Sequence, residues 1–189
     1  MKTLIWSFFA YFLGSIPTAY FFSRFIFRFD IRKKGTGNVG TFNFLRVTSS
    51  KGLSLLVLII DVLKGYLALQ ISAFYLPEDY YVFPAIAVIL GHVFPIWLKG
   101  KGGRGLATLA GVFLFIQPTA VGIWCLIFGL IYFATKRYII AAMFALLLVN
   151  FFICFNWGFE IFLISSSTST LVMLKYFPRI KDEIIKKQK

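Results

Sequence analysis

An all-α integral membrane fold is predicted by three features of the sequence: an apolar surplus, long uncharged runs, and cations confined to the gaps between them. Of the 189 residues, 59% are hydrophobic and 20% aromatic, and only 14% carry charge. Soluble domains hold roughly a quarter charged residues, so one water-soluble core cannot absorb this surface. Lipid offers no partner to an open sheet edge, which leaves helices, whose backbone bonds close within each segment. Residues 1–189 read as a single polytopic membrane domain, with no linker, low-complexity tract or internal repeat.

Apolar runs of about 20 residues, the length that crosses a bilayer as a helix, occupy 4–23, 53–74, 80–98, 117–135, 139–157 and 159–176. The first begins after Lys2 and outlasts a signal-peptide core, with no small-x-small site to close it, so it reads as a span. A seventh run, 106–116, is short by the same measure. Of the 20 Lys and Arg, seven lie at 24–51, three at 99–104, two at 136–137 and six at 175–189. Cytoplasmic loops collect such cations. All four clusters share one side only if 106–135 is a hairpin whose first arm is the short run. Seven transmembrane helices are therefore expected, N-terminus outside and C-terminus cytoplasmic. The outer turns then hold Glu78-Asp79, Gln117-Pro118 and Asn156 to Glu160, with no Lys or Arg. The net charge of +13 follows from orientation and anionic headgroups rather than from nucleic acid. Cys125 and Cys154 sit in apolar runs and read as buried packing residues.

Two glycine-rich basic loops interrupt this pattern, Gly35-Thr36-Gly37-Asn38-Val39-Gly40 and Lys99-Gly100-Lys101-Gly102-Gly103-Arg104-Gly105. The first matches G-x-G-x-x-G, but it follows a span and a basic stretch instead of a strand, so it is no dinucleotide fingerprint. What survives is backbone able to turn amides toward an anion. Thr36, Asn38 and Asn43 add donors there, and Arg46 a guanidinium fork. The second loop runs into Leu106-Ala107-Thr108. The Gly102 and Gly103 amides, the positive end of that helix, Lys101 and Arg104 are expected to face a phosphate together. Phosphate binding is accordingly assigned to Thr36, Gly37, Asn38, Asn43, Arg46, Lys101, Gly102, Gly103 and Arg104. Either loop alone also fits a solvated loop with orienting charge; a shared membrane face favours the site.

Asp61 and Lys64 lie three apart in one span and share a helix face. Each costs about 2.5–3.5 kcal/mol at a helix centre, so a mutual pair bracing the site is expected. His92, the single histidine, and Arg137 are assigned with them as structural support. One histidine and seven carboxylates build neither a metal site nor a Ser-His-Asp set, and no catalytic residue is assigned.

These residues resemble the bacterial acyl-phosphate:glycerol-3-phosphate acyltransferase family, the small PlsY-type membrane enzymes. The resemblance covers nearly the whole chain. It rests on Gly14-Ser15-Ile16-Pro17, Asp30-Ile31-Arg32, the Gly35 to Asn43 loop with Arg46, and Asp61 with Lys64-Gly65. It continues with Gly91-His92, Pro95, Lys101 to Thr108, and Lys136-Arg137-Tyr138. It implies seven spans in the bacterial cytoplasmic (inner) membrane with the site facing the cytoplasm. It also implies transfer of a fatty acyl group from acyl phosphate to the 1-hydroxyl of sn-glycerol 3-phosphate, giving lysophosphatidic acid for phospholipid biosynthesis. The implied partners are those two small molecules, membrane lipid and the enzyme that generates acyl phosphate, with no nucleic acid, cofactor or metal.

The chain departs from the family pattern at several places. Thr36 replaces a serine and Arg104 a lysine, while Ile140 and Met143 stand where serines follow the Arg-Tyr of the third segment. In the C-terminal Arg-His-x-x-Asn segment, Pro178 takes the histidine's place and Lys181 the asparagine's. Pro178 is also expected to turn the chain away early after the last span. These departures define the alternative, a catalytically silent or specialised paralogue that binds phospholipid precursors or partner enzymes. A transporter is disfavoured by polar groups clustered at one face and by the lack of an inverted repeat.

Overall fold

The computed structural model describes residues 1–185, with side chains through Pro178. The described residues form α1 (Lys2–Gly14), α2 (Thr18–Phe25), α3 (Thr41–Thr48), α4 (Lys51–Ala73), α5 (Val82–Val93), α6 (Leu106–Ile116), α7 (Pro118–Thr135), α8 (Tyr138–Asn156) and α9 (Gly158–Ile185), with no strand among them. Five segments are long and apolar enough to cross a membrane: Lys2–Phe25, Lys51–Ala73, Glu78–Leu98, Pro118–Thr135 and Tyr138–Asn156. Helix α6 is apolar but shorter, at 11 residues.

Run 159–176 is not among the five, because Ser165 to Thr170 dilute its apolar character. Those hydroxyls spend their donors within the helix. Thr168 Oγ1 donates to the Ile164 carbonyl at 2.6 Å and Thr170 Oγ1 to the Ser166 carbonyl at 2.7 Å. Back-bonding of this kind lets a polar run sit among apolar helices. Ser169 Oγ also accepts from Asn150 Nδ2 at 2.9 Å, which ties α9 to α8.

The first span is broken rather than straight. Pro17 has no N–H with which to continue α1, and the break exposes the Ile16 carbonyl, which accepts from Lys64 Nζ at 3.1 Å. Two pairs of glycines bring helices into backbone contact. A methyl on Gly14 would strike the Val88 carbonyl and one on Gly91 the Tyr11 carbonyl, so α1 lies directly on α5. Gly65 meets the Thr108 carbonyl and Gly111 the Val62 carbonyl, and this holds the short α6 against α4. Small residues serve this purpose where lipid removes the hydrophobic drive between helices. Phe115 near the end of α6 packs edge-to-face on Tyr81, before the start of α5, at 5.6 Å. Thr108 at the beginning of α6 bonds His92 at the end of α5. The two helices therefore run antiparallel between opposite ends of the molecule.

The cationic loops gather at one of those ends. Arg32, Lys101, Arg104 and Lys175 line a single cavity. Phe42 on α3 stacks on Tyr138 at 5.3 Å, which brings the Lys136-Arg137 turn alongside.

Two expectations are corrected. Helix α9 continues through Pro178 to Ile185 instead of turning away. The proline removes one helical hydrogen bond, and Leu174, whose carbonyl loses that partner, is exposed. Cys125 and Cys154 are exposed, not buried. Helix α7 is the outermost span, with 6% of its apolar window buried against 33% or more in the other four. Cys125 therefore lies on an outward face.

Candidate active site

The first glycine loop is shaped from beneath by Asn43, a buried residue of α3. Its Oδ1 accepts from the Thr36 N–H at 2.7 Å, while Nδ2 donates to the Asn38 carbonyl at 2.9 Å and the Lys34 carbonyl at 3.2 Å. Gly35 and Gly37 adopt φ of 59° and 71°, the left-handed region that glycine enters without strain. Asn43 has no amide proton left for a ligand. Its assignment as a phosphate donor is corrected to that of a loop staple.

The second loop folds back onto the end of α5. The Gly102 N–H donates to the Val93 carbonyl at 3.2 Å and the Gly103 N–H to the His92 carbonyl at 3.0 Å. Both amides expected to face a phosphate are thus spent on the protein. The glycines serve close approach instead, since a methyl on Gly103 would strike His92 Nε2 and one on Gly102 would strike Pro95.

A buried polar network lies behind this loop. Asp61 Oδ1 sits 2.9 Å from Lys64 Nζ, accepts from Thr18 Oγ1 at 3.1 Å, and lies 3.9 Å from His92 Nδ1. His92 Nδ1 is in turn 3.0 Å from Thr108 Oγ1. The network joins α2, α4, α5 and α6 where Gly103 presses on the His92 ring. Arg137 stands apart from it: its backbone caps α8 and its N–H donates to Thr135 Oγ1 at 3.2 Å, but its side chain lines neither cavity described next.

The cationic end opens as a basin of about 1090 Å³ walled by Arg32, Lys33, Lys101, Arg104 and Lys175, with Thr36, Gly37, Asn38, Gly102 and Asp30. The one carboxylate in it among the described residues is committed: Asp30 Oδ2 lies 2.6 Å from Arg32 Nη2. The Arg32 hydrogen bonds hold the Asp30 carboxyl below its usual range, and Asp30 raises Arg32 in return. The remaining cations have no carboxylate beside them in the wall among the described residues, so the basin suits a dianion.

A groove of about 770 Å³ leads off the basin, and the two share Asn38 and Arg104. Its wall includes Thr41, Phe42, Leu106, Ala107, Ala110, Trp124, Tyr138 and Tyr176. Leu106, Ala110 and Trp124 also line a narrow apolar crevice between α6, α7 and α8, which Phe113, Val121 and Leu146 complete. Arg46 is outside the basin: it is exposed on α3 with its guanidinium 5.6 Å from the Phe42 ring centroid, at the edge of the groove. A cationic basin therefore joins a largely apolar groove, and Arg104 stands at the junction.

A family model described as glycerol-3-phosphate acyltransferase matches residues 4–186. The chain belongs to this family. Among curated relatives, the glycerol-3-phosphate acyltransferase of Syntrophomonas wolfei is 45% identical over 126 residues, covering 67% of this chain and 64% of that protein. The one from Prochlorococcus marinus is 38% identical over 177 residues, covering 91% and 88%. The crystal structure of PlsY (YgiH), an integral membrane glycerol 3-phosphate acyltransferase, in its glycerol 3-phosphate form, superposes with a TM-score of 0.89 at 26% identity, covering 98% of this chain and 93% of that one. The protein is thus an integral membrane acyltransferase of phospholipid synthesis.

Several residues of the acyltransferase's cavities escaped sequence reasoning. Lys175 was counted only as an orienting charge, yet it walls the basin. Tyr138 and Tyr176 line the groove; the signal for Tyr176 was its place at the polar end of an apolar run. Pro178 is exposed and lines neither cavity, so in this segment Tyr176, two residues earlier, is the side chain that enters the groove wall. Met143 is buried with the core between α8 and its neighbours. The side chains of Arg179 and Lys181 lie outside the described residues.

Proposed function

We propose that this acyltransferase moves a fatty acyl group from acyl phosphate to the 1-hydroxyl of sn-glycerol 3-phosphate, as a single membrane domain. The observation that carries the reading is the meeting of a cationic basin and an apolar groove at Asn38 and Arg104. Glycerol 3-phosphate occupies the basin, its phosphate against Lys101, Arg104, Thr36 and Asn38. The acyl chain lies along the groove between α6 and α7, open to lipid. Arg46, over Phe42 at the groove edge, is placed toward the phosphate of the donor rather than that of the acceptor.

An acyl phosphate is a mixed anhydride with a good leaving group, so a covalent enzyme intermediate is not required. The glycerol hydroxyl oxygen attacks the carbonyl carbon and the bond from that carbon to the phosphate oxygen breaks. The hydroxyl proton leaves on the phosphate. The protein supplies alignment and charge stabilisation, while the Asp61–Lys64–His92 network fixes the loop that carries Lys101 and Arg104.

The cations at the basin end support a cytoplasmic position for that end. Helices α6 and α9 complete seven crossings, with the N-terminus outside, in the bacterial inner membrane. At about 1.5 Å per residue α6 falls short of a hydrocarbon core of about 30 Å. Its glycine contacts with α4 shield it instead. The enzyme that makes acyl phosphate then delivers its product to the cytoplasmic face.

The test is acyl transfer from palmitoyl phosphate to labelled glycerol 3-phosphate by purified protein in lipid bilayers. Lysophosphatidic acid and inorganic phosphate are expected in equal amounts. Binding of both substrates with no product would establish the silent paralogue instead.

A further inference from the structure

We propose that the Tyr176 hydroxyl donates a hydrogen bond to the acyl carbonyl oxygen during transfer, with Tyr138 as its positioning partner. The inference rests on the acyl-transfer reading above and deepens it.

Tyr176 is 5% exposed, and its ring lies under Arg104, with Cζ 4.9 Å from the ring centroid. Arg104 and Tyr138 are its polar neighbours in the groove wall. The Tyr138 ring is itself clamped, stacked on Phe42 at 5.3 Å and edge-on to Phe128 at 5.7 Å. All three groups line the groove. Counting protons then points outward. A guanidinium has no acceptor, so neither phenol can donate to Arg104, and a bond between the two phenols would use only one of their two protons. One phenolic O–H is left over, beside the arginine where groove becomes basin. Thr41 Oγ1, in the same groove wall, is buried without a hydrogen-bond partner among the described residues, so this stretch holds more polar capacity than the protein consumes.

With the donor's phosphate toward Arg46 at the groove edge and its chain in the groove, the carbonyl comes to rest beside Tyr176. As the glycerol oxygen adds to the carbonyl carbon, the carbonyl oxygen gains negative charge and the phenol hydrogen-bonds to it without giving up its proton. When the bond from that carbon to the phosphate oxygen breaks, the oxyanion's electron pair re-forms the C=O double bond, and the phosphate leaves with the bonding electrons and the hydroxyl proton. No proton is left on the protein.

The experiment compares Tyr176→Phe, Tyr138→Phe and the double variant with the parent in the palmitoyl phosphate assay. Phenylalanine keeps the ring over Arg104 and removes only the hydroxyl. Loss of one oxyanion donor lowers kcat by about 100-fold or more, and this is expected for Tyr176→Phe with the KM for glycerol 3-phosphate within about twofold. Tyr138→Phe should lower kcat by about tenfold, and the double variant should fall no further than Tyr176→Phe, because Tyr138 acts through Tyr176. A raised KM with unchanged kcat in Tyr176→Phe, or a parental rate, overturns the proposal while the acyltransferase reading stands. If Tyr176→Phe fails to fold, Tyr138→Phe decides by the same split between kcat and KM. A parent that transfers nothing overturns the reading itself, and the tyrosine's role with it.

Discussion

Lys64→Met is the perturbation that best measures how the basin is held. Asp61 and Lys64 are 2% and 4% exposed, and their 2.9 Å contact is the central bond of the network behind Gly103. Removing one partner of a buried ion pair costs about 3–5 kcal/mol, because the other charge stays behind in low dielectric. After Lys64→Met, Asp61 keeps Thr18 at 3.1 Å and gains what His92 can supply from 3.9 Å, so the lower end of that range, about 3 kcal/mol, is expected. That is roughly a 150-fold loss in the ratio of folded to unfolded protein. Asp61→Asn should cost a similar amount, since it leaves Lys64 with the Ile16 carbonyl at 3.1 Å. The double variant removes both charges and should be at least about 2 kcal/mol more stable than the summed single losses. Denaturant titration in one detergent, followed by tryptophan fluorescence, makes the comparison. A thiol-reactive dye would not serve, because Cys125 and Cys154 are exposed in the folded protein. A Lys64→Met variant as stable as the parent, or single losses that add within about 0.5 kcal/mol, would show that the pair does not brace the fold.

Arg104→Ala should lower kcat/KM by roughly 10- to 150-fold, the worth of a charge-assisted hydrogen bond of about 1.5–3 kcal/mol. Arg46→Ala, outside the basin, should raise the KM for acyl phosphate more than that for glycerol 3-phosphate, which steady-state kinetics in both substrates will separate. Ala110→Phe narrows the groove where it enters the crevice and should shift preference toward short acyl phosphates. Each methylene denied burial costs about 0.8 kcal/mol, roughly fourfold in kcat/KM, readable from a donor chain-length series. In a background lacking both native cysteines, Lys34→Cys and Lys101→Cys should resist impermeant thiol reagents in intact cells while Glu78→Cys reacts. Labelling at 101 from outside would reverse the orientation.

The sequence by itself determined the helical membrane class, the gathering of the cationic loops and the buried Asp61–Lys64 pair. These rest on local quantities: the length of an uncharged run, the position of Lys and Arg between runs, and a three-residue spacing on one helix. Glycines at 35, 37, 102 and 103 are visible in the sequence as loop residues, but not what their backbones do. Only the tertiary structure decided that the Gly102 and Gly103 amides are spent on carbonyls of α5, that Asn43 staples rather than binds, and that Arg46 faces the groove edge. Each of these depends on where one segment's donors find another segment's acceptors, which spacing along the chain does not encode. The C-terminal segment shows the same limit most sharply. Moving two residues along a helix turns a side chain by about 200°. That rotation, set by the packing of α9 on α5 and α8, is why Tyr176 lines the groove and Pro178 faces out.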